Sequence, residues 1–308
     1  MSGYFFKLFN RFFYSVDQIL MISYILELLE DAINQYIGCG IVCTSRLFVK
    51  NKILVNNVRY RCISIIGKGM SSKVYQVELN NEYYAVKKSK YKNSNEFYSL
   101  DKEIDCLNML CKNPFVIKLL EYEILPNIVY TVFECAPISL DSMMANLKFN
   151  PQRIQSTMRQ ICLAVQSIHQ LDVVHKDLKP QNIVFNSRNM IKLIDFGFSE
   201  LMLSKEIRSD WIEGTLEYMA PECLIRVRKQ FVFGIERDVW AVGVIYYEML
   251  FKSVPWNAED DDTVIDNITG LKSVNCYGNL LLPKLLCVDK SKRCTILEAL
   301  QYFPIKSE

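Results

Sequence analysis

The chain of 308 residues is 50% apolar and carries 36 basic against 34 acidic side chains. No basic block argues for nucleic acid, and the acidic run at 259–262 reads as a solvated loop. Eleven cysteines without a CxxC, and only two histidines, argue against a disulfide framework and a metal cluster, and point to a reducing compartment, nucleus or cytoplasm.

Residues 1–52 read as an N-terminal extension. The opening MSGYFFKLFNRFFY is aromatic and mildly basic and shows no cleavage site of a signal peptide. QILMISYIL, at 18–26, is about half the length that crosses a bilayer. Ile19, Ile22, Leu26, Leu29 and Ile33 share one helical face, which predicts a helix packed on the rest of the chain or on a partner. A helix lying on a membrane surface is the alternative.

From residue 53 to 308 the pattern is that of one two-lobed domain. KILVNNVRYRCISIIGKG carries Asn-Asn between runs rich in β-branched and aromatic residues, which predicts a hairpin, and a second Asn-Asn at 80–81 predicts another. Gly67 and Gly69 are placed in the bend between them, inside Ile66, Gly67, Lys68, Gly69, Met70, Ser71, Ser72 and Lys73. A backbone that must approach phosphate oxygens needs glycine there, although a plain hairpin bend explains two glycines as well. Lys87 follows at the end of the next strand. On the helix after it, Ile104, Leu107 and Leu110 form an inward face, and Glu103 can pair with Lys87; Glu96 is the runner-up carboxylate.

IVYTVFEC, at 128–135, reads as a buried strand running into a proline-bearing connector. Phe133 would stand behind a pocket at that junction, and the backbone of Glu134 and Cys135 would meet a flat heterocycle. Asn150 and Pro151 then cap a helix whose Ile154, Met158, Ile161, Val165 and Ile168 follow helical spacing. A mainly β lobe, about 53–135, thus gives way across a connector at 134–140 to a mainly helical lobe at 141–304, an α+β architecture.

VVHKDLKPQNIVF, at 173–185, holds Asp177, Lys179 and Asn182, and IDFG at 194–197 and GTLEYMAPE at 214–222 follow. A carboxylate for an attacking hydroxyl (Asp177), a cation for a transferring phosphoryl group (Lys179) and oxygen ligands for magnesium (Asn182, Asp195) are what phosphoryl transfer requires. With the glycine bend, Lys87 and Glu103 in order, the chain over about 58–304 resembles the protein kinase family.

That resemblance implies the bilobal protein kinase fold, ATP and Mg2+ as cofactors, and protein substrates. It implies that residues 66–73 cover the phosphates, that Val74, Ala85 and Val184 sandwich adenine, and that His175, Phe196 and Leu107 form a packing spine. It further matches Asp238 to the anchor of the catalytic loop, and Glu222 and Arg293 to an ion pair holding the activation segment. Ser72 and Lys176 stand where the family usually has glycine and arginine. Lysine at 176 is expected to attract an activation-segment phosphate as a point charge. All transfer residues are present, which implies a working enzyme; a nucleotide-binding scaffold is the alternative.

DLKPQN and Thr215 resemble the serine/threonine branch. GMSSKVYQV, ECAPISLDS, IHQLDVVHKDLKP and IKLIDFG resemble one subfamily, the monopolar-spindle kinases of the spindle assembly checkpoint. That subfamily differs at Phe133 and carries a long regulatory region ahead of the domain. The resemblance implies dual-specificity phosphorylation of kinetochore or cell-cycle proteins. It also implies self-association for autophosphorylation at Ser199, Ser204, Ser209 or Thr215. Another small cell-cycle serine/threonine kinase is the alternative.

Overall fold

The computed structural model describes residues 52–304, apart from 147–148, 203, 205, 210, 228–229, 257 and 271–275. The predicted N-terminal helix lies outside the described residues. Among the described residues no helix is long and apolar enough to cross a membrane, and no disulfide forms.

Two Asn-Asn turns organise the first lobe. Asn56, Asn57, Asn80 and Asn81 all take left-handed backbone, at φ 47°, 65°, 52° and 67°. Two such residues in succession make the turn whose twist matches antiparallel strands, and asparagine adopts it at low cost. The first joins β1 (Lys52–Val55) to β2 (Val58–Lys68), and the second joins β3 (Ser72–Leu79) to β4 (Glu82–Lys90). Helix α1 (Ser94–Met109) comes next, followed by β5 (Leu119–Leu125) and β6 (Ile128–Glu134). The sheet runs β1-β2-β3-β4-β6-β5, antiparallel throughout. Val55, Tyr60, Val77, Val86 and Val132 fill one of its faces. The Tyr60 hydroxyl donates to Glu121, and the Asn56 amide donates to Glu123 Oε2 at 3.0 Å, so the first turn is pinned to β5 and the sheet is curled.

Two sequence expectations shift here. Gly67 lies in β2, at a register shift between Ile65 and Gly67, and only 69–71 form the bend, closed by Gly69 N–H to Ser72 O at 2.8 Å. Lys87 sits inside β4, opposite Thr131, and the strand runs on to Lys90. In both cases cross-strand pairing extends the strand past the residue that sequence alone suggested would end it.

The second lobe begins with β7 (Ile138–Ser139) and α2 (Leu140–Asn146). Helix α3 (Pro151–His169) starts at Asn150, whose side chain accepts from Arg153 N–H at 2.8 Å, with Pro151 in the first turn. Its Ile154, Met158, Ile161, Val165 and Ile168 are buried, as their spacing predicts. The loop at 175–182 is framed by β8 (Val173–Val174), β9 (Ile183–Phe185) and β10 (Ile191–Leu193). Beyond them β11 (Glu200–Leu201) pairs with β8, while β12 (Ile207–Ser209), β13 (Arg226–Val227) and β14 (Gln230–Phe233) form a separate sheet in the order β12-β14-β13.

Helix α4 (Glu236–Phe251) is buried on nearly every side from Arg237 to Ile245, and a helix so enclosed serves as the core of its lobe. A Cβ at Gly243 would come within 2.8 Å of Leu285 and Leu286, so glycine permits the close approach of α6 (Leu282–Leu285). Trp240 stacks on Trp256 at 5.1 Å with rings 7° apart, whereas Trp211 is 76% exposed. The acidic run at 259–262 is solvent-exposed as predicted, but only Glu259 and Asp260 are loop and Asp261 and Asp262 open a helix. Asp260 caps α5 (Asp261–Thr269), accepting from Thr263 N–H at 2.8 Å, and Asp261 and Asp262 occupy its first turn, where carboxylates favour the helix dipole. A short α7 (Ile296–Leu300), begun by a Thr295–Glu298 capping box, ends the lobe.

Candidate active site

Lys87 reaches across from β4 to α1, where its ammonium lies 2.7 and 2.9 Å from the two oxygens of Glu103. It also lies 3.4 Å from Asp195 Oδ1, which belongs to the other lobe. Burial alone would lower the lysine pKa, but the Glu103 and Asp195 carboxylates overcome it and hold the charge more firmly than in water. Burial likewise works to raise the Asp195 carboxyl, and the positive charge of Lys87, foremost among its neighbours, brings it below the usual carboxylate range. Asp195 has φ 63°, a left-handed conformation that aspartate and asparagine adopt more readily than most residues. Glu96 takes a different duty. It closes the start of α1, its amide donating to Asn93 Oδ1 at 2.9 Å and its carboxylate accepting from Lys92 N–H at 2.8 Å.

The catalytic loop is held from beneath by Asp238. Its carboxylate accepts from the backbone N–H of His175 (2.9 Å) and of Lys176 (3.1 Å), and lies 2.9 Å from His169 Nε2. Burial opposes ionisation of Asp238, but the His169 contact and the remaining donors keep its carboxyl below the ordinary value. His175 is fully buried; its Nδ1 accepts from Asp177 N–H at 3.3 Å, so its Nε2–H is the donor to Ile194 O at 3.0 Å. Its ring lies 4.8 Å from that of Phe196, and both Phe196 and Leu107 belong to the buried core, the packing role expected of all three.

On this support Asp177, Lys179, Asn182 and Thr215 converge. Asp177 Oδ2 is 2.8 Å from Lys179 Nζ and accepts from Asn182 Nδ2 at 3.0 Å. Thr215 donates to Asp177 Oδ1 at 2.7 Å and accepts from Lys179 Nζ at 2.6 Å. A carboxylate held through both oxygens has a set direction before any substrate arrives. Asn182 and Asp195 offer hard oxygen donors. Magnesium uses one or two protein oxygens and completes its shell with phosphate and water, so this sparse pair fits it; among the described residues no group of three or more ligands forms.

Apolar residues of the two lobes pack together. Ile66, Val74, Ala85, Phe133 and Val184 belong to one contiguous cluster, which brings together the predicted adenine-facing residues. Phe133 pairs with Ala85 in register. Lys68, Gly69, Met70 and Ser71 stand at the exposed tip of the glycine turn, with Ser72 and Lys73 half-buried behind them. At the connector the Glu134 N–H donates to Lys118 O at 3.1 Å, and its carboxylate pairs with Lys192 at 2.7 Å. Its N–H is therefore engaged within the lobe. Cys135 Sγ accepts from Gln76.

Glu222 and Arg293 form the predicted buried pair, bidentate at 2.6 and 2.9 Å, and Arg293 also donates to Glu236 O and Cys287 O. Lys176 faces the activation segment through two of its carboxylates. Its ammonium already meets Glu200 Oε2 at 2.9 Å and Glu213, beside the ring of Phe233. Ser199 is buried, its hydroxyl donating to Phe196 O at 2.7 Å, which removes it from the accessible phosphorylation sites in this conformation. Glu200, Glu213 and Arg237 had no signal in the sequence, because nothing in their spacing ties them to Lys176.

The family model for the protein kinase domain matches residues 60–303. The chain is 33% identical over 221 residues to the probable serine/threonine-protein kinase mps1 of Dictyostelium discoideum, which covers 67% of this chain and 22% of that protein. It is 30% identical over 231 residues to the serine/threonine-protein kinase MPS1 of Saccharomyces cerevisiae, covering 68% and 30%. It is 36% identical over 222 residues to the dual specificity protein kinase TTK of Mus musculus, covering 66% and 25%. The chain thus matches less than a third of the length of these relatives. With its two-lobed fold and a family match over most of its length, the chain belongs to the protein kinase family.

Proposed function

We propose that this chain transfers the γ-phosphoryl group of ATP to serine and threonine hydroxyls of proteins. The observation that carries this reading is the bridge from Lys87 to both Glu103 and Asp195, which joins the two lobes around one charged centre. Lys87 holds the α- and β-phosphates, and the backbone of the turn at 66–73 lies over the tail. Val74, Ala85 and Val184 pack on adenine, with backbone of the connector near Glu134 and Cys135 as its polar partner. Asp177 orients the attacking hydroxyl and takes its proton as the oxygen bonds to phosphorus and ADP departs. Lys179 neutralises charge on the transferring group. Asn182 and Asp195 would hold Mg2+, which when bound shields the phosphate oxygens.

By resemblance to the monopolar-spindle kinases, its substrates are kinetochore or cell-cycle proteins in the nucleus or cytoplasm. A relative named for dual specificity supports tyrosine as a further acceptor. The test is incubation of the purified chain with labelled ATP, magnesium and a Ser/Thr/Tyr peptide library. Label on serine and threonine, lost in Asp177→Asn, is the expected result. Nucleotide binding without any transfer would overturn it in favour of a scaffold.

A further inference from the structure

Lys176 carries a charge sealed inside the protein. Its side chain is only 2% exposed, and its two carboxylate partners both come from the segment between Asp195 and Glu222. Glu200 lies near the start of that segment, and Glu213 two residues before Thr215. A buried ammonium is tolerated only when such partners offset its desolvation. The same crossing is tied a second time by Arg237, which donates at 2.8 Å to the carbonyls of both Lys176 and Glu213. Gly214 has φ 116°, and a Cβ there would fall 2.6 Å from Lys176 O, so the two backbones lie directly on one another. One residue further along each strand of this crossing, Thr215 bonds Asp177.

The hydroxyls of Ser204 and Ser209 take no part in the crossing. Ser204 donates to Glu206 O at 2.6 Å and Ser209 to Trp211 O at 2.9 Å, both local bonds. A phosphate brings about −1.5 to −2 of charge to a buried cation; two carboxylates already bring the same.

We propose that Glu200 and Glu213 are positioning residues that stand in for a phosphate on the activation segment, so that transfer proceeds without prior phosphorylation of that segment. Through Lys176 they fix the backbone that carries Asp177. The inference rests on the reading of the chain as a kinase.

The test uses the full chain, stripped by a phosphatase and verified by mass spectrometry, with a Ser204→Ala/Ser209→Ala variant in parallel. Both are expected to keep initial rates on peptide within about twofold of the untreated chain, since neither serine supports the crossing. The Glu200→Gln/Glu213→Gln variant is expected to lose about tenfold or more in kcat, with KM for ATP little changed, because the orphaned lysine pulls on Asp177 but not on Lys87. In a Lys176→Met background the same two changes should cost less than about threefold, the mark of coupling through one charge. Initial rates that fall about tenfold after phosphatase and return on rephosphorylation would overturn the proposal, and that arm holds even if a variant fails to fold. A glutamine pair with unchanged kcat would overturn it as well. Absence of transfer from every form, wild type included, would sink the kinase reading and this proposal with it.

Discussion

Lys87 and Glu103 bond through both carboxylate oxygens, at 2.7 and 2.9 Å, with little of either side chain exposed. The pair joins the sheet to α1, and its position next to Asp195 makes it both a fold contact and part of the phosphate site. Replacing Lys87 by Met should lower turnover by about 10²-fold or more. It should also cost about 1–3 kcal/mol of stability, because Glu103 is left buried and unpaired. Adding Glu103→Gln should restore much of the stability and none of the turnover. Urea unfolding and initial rates, read on the same preparations, separate the two.

Asp177 has both oxygens engaged by Lys179, Asn182 and Thr215, so its direction is set by neighbours that an asparagine would largely keep. Asp177→Asn should therefore fold and bind magnesium-ATP as before, with turnover down by about 10²-fold or more. A calorimetric titration together with a rate measurement checks both halves. Undiminished turnover would remove Asp177 from the role of base.

Arg293 is fully enclosed between Glu222, the carbonyls of Glu236, Cys287 and Val288, and the ring of Trp240, 5.0 Å away. Arg293→Met leaves a buried carboxylate without its cation and should cost about 3–5 kcal/mol. Glu222→Gln should cost less, since the guanidinium keeps the Glu236 and Cys287 carbonyls. Thermal unfolding of the two variants ranks them, and the reverse order would contradict the structure.

Asp238 supplies the pH dependence. Its folded pKa lies below the unfolded value, so its contribution is complete above about pH 4, the ordinary aspartate value, and is lost as pH falls through the folded pKa. Asp238→Asn should be less stable than the parent at pH 7, with a shallower loss of stability below about pH 4. Denaturant midpoints measured from pH 7 down to pH 3 would show the two curves converging at the acid end.

Much of this was legible in the chain itself, and for physical reasons. Asn-Asn is nearly committed to one tight turn, so both hairpins followed from four residues. Helical spacing buried Ile154 through Ile168 as predicted. Glu96 is only nine residues past Lys87, too little chain for the turn and the helix start, which favours Glu103; in the fold Glu96 closes the start of α1. What stayed hidden depends on residues distant in sequence. The sheet β12-β14-β13 joins 207–209 to 226–233 through short strands with little alternation. The partners of Lys176 come from 200 and 213, where a lone glutamate looks like any surface charge. Gly67 was misplaced because a register shift inside a strand looks, in sequence, like the end of that strand.

The distribution of tryptophan gives the protein its own optical probe. The chain has three, and two of them, Trp240 and Trp256, lie stacked and shielded in the second lobe. Trp211 alone projects into water, from the activation segment. Iodide or acrylamide should quench mainly that one indole, so emission from unlabelled protein reports on how this loop is covered when a peptide docks.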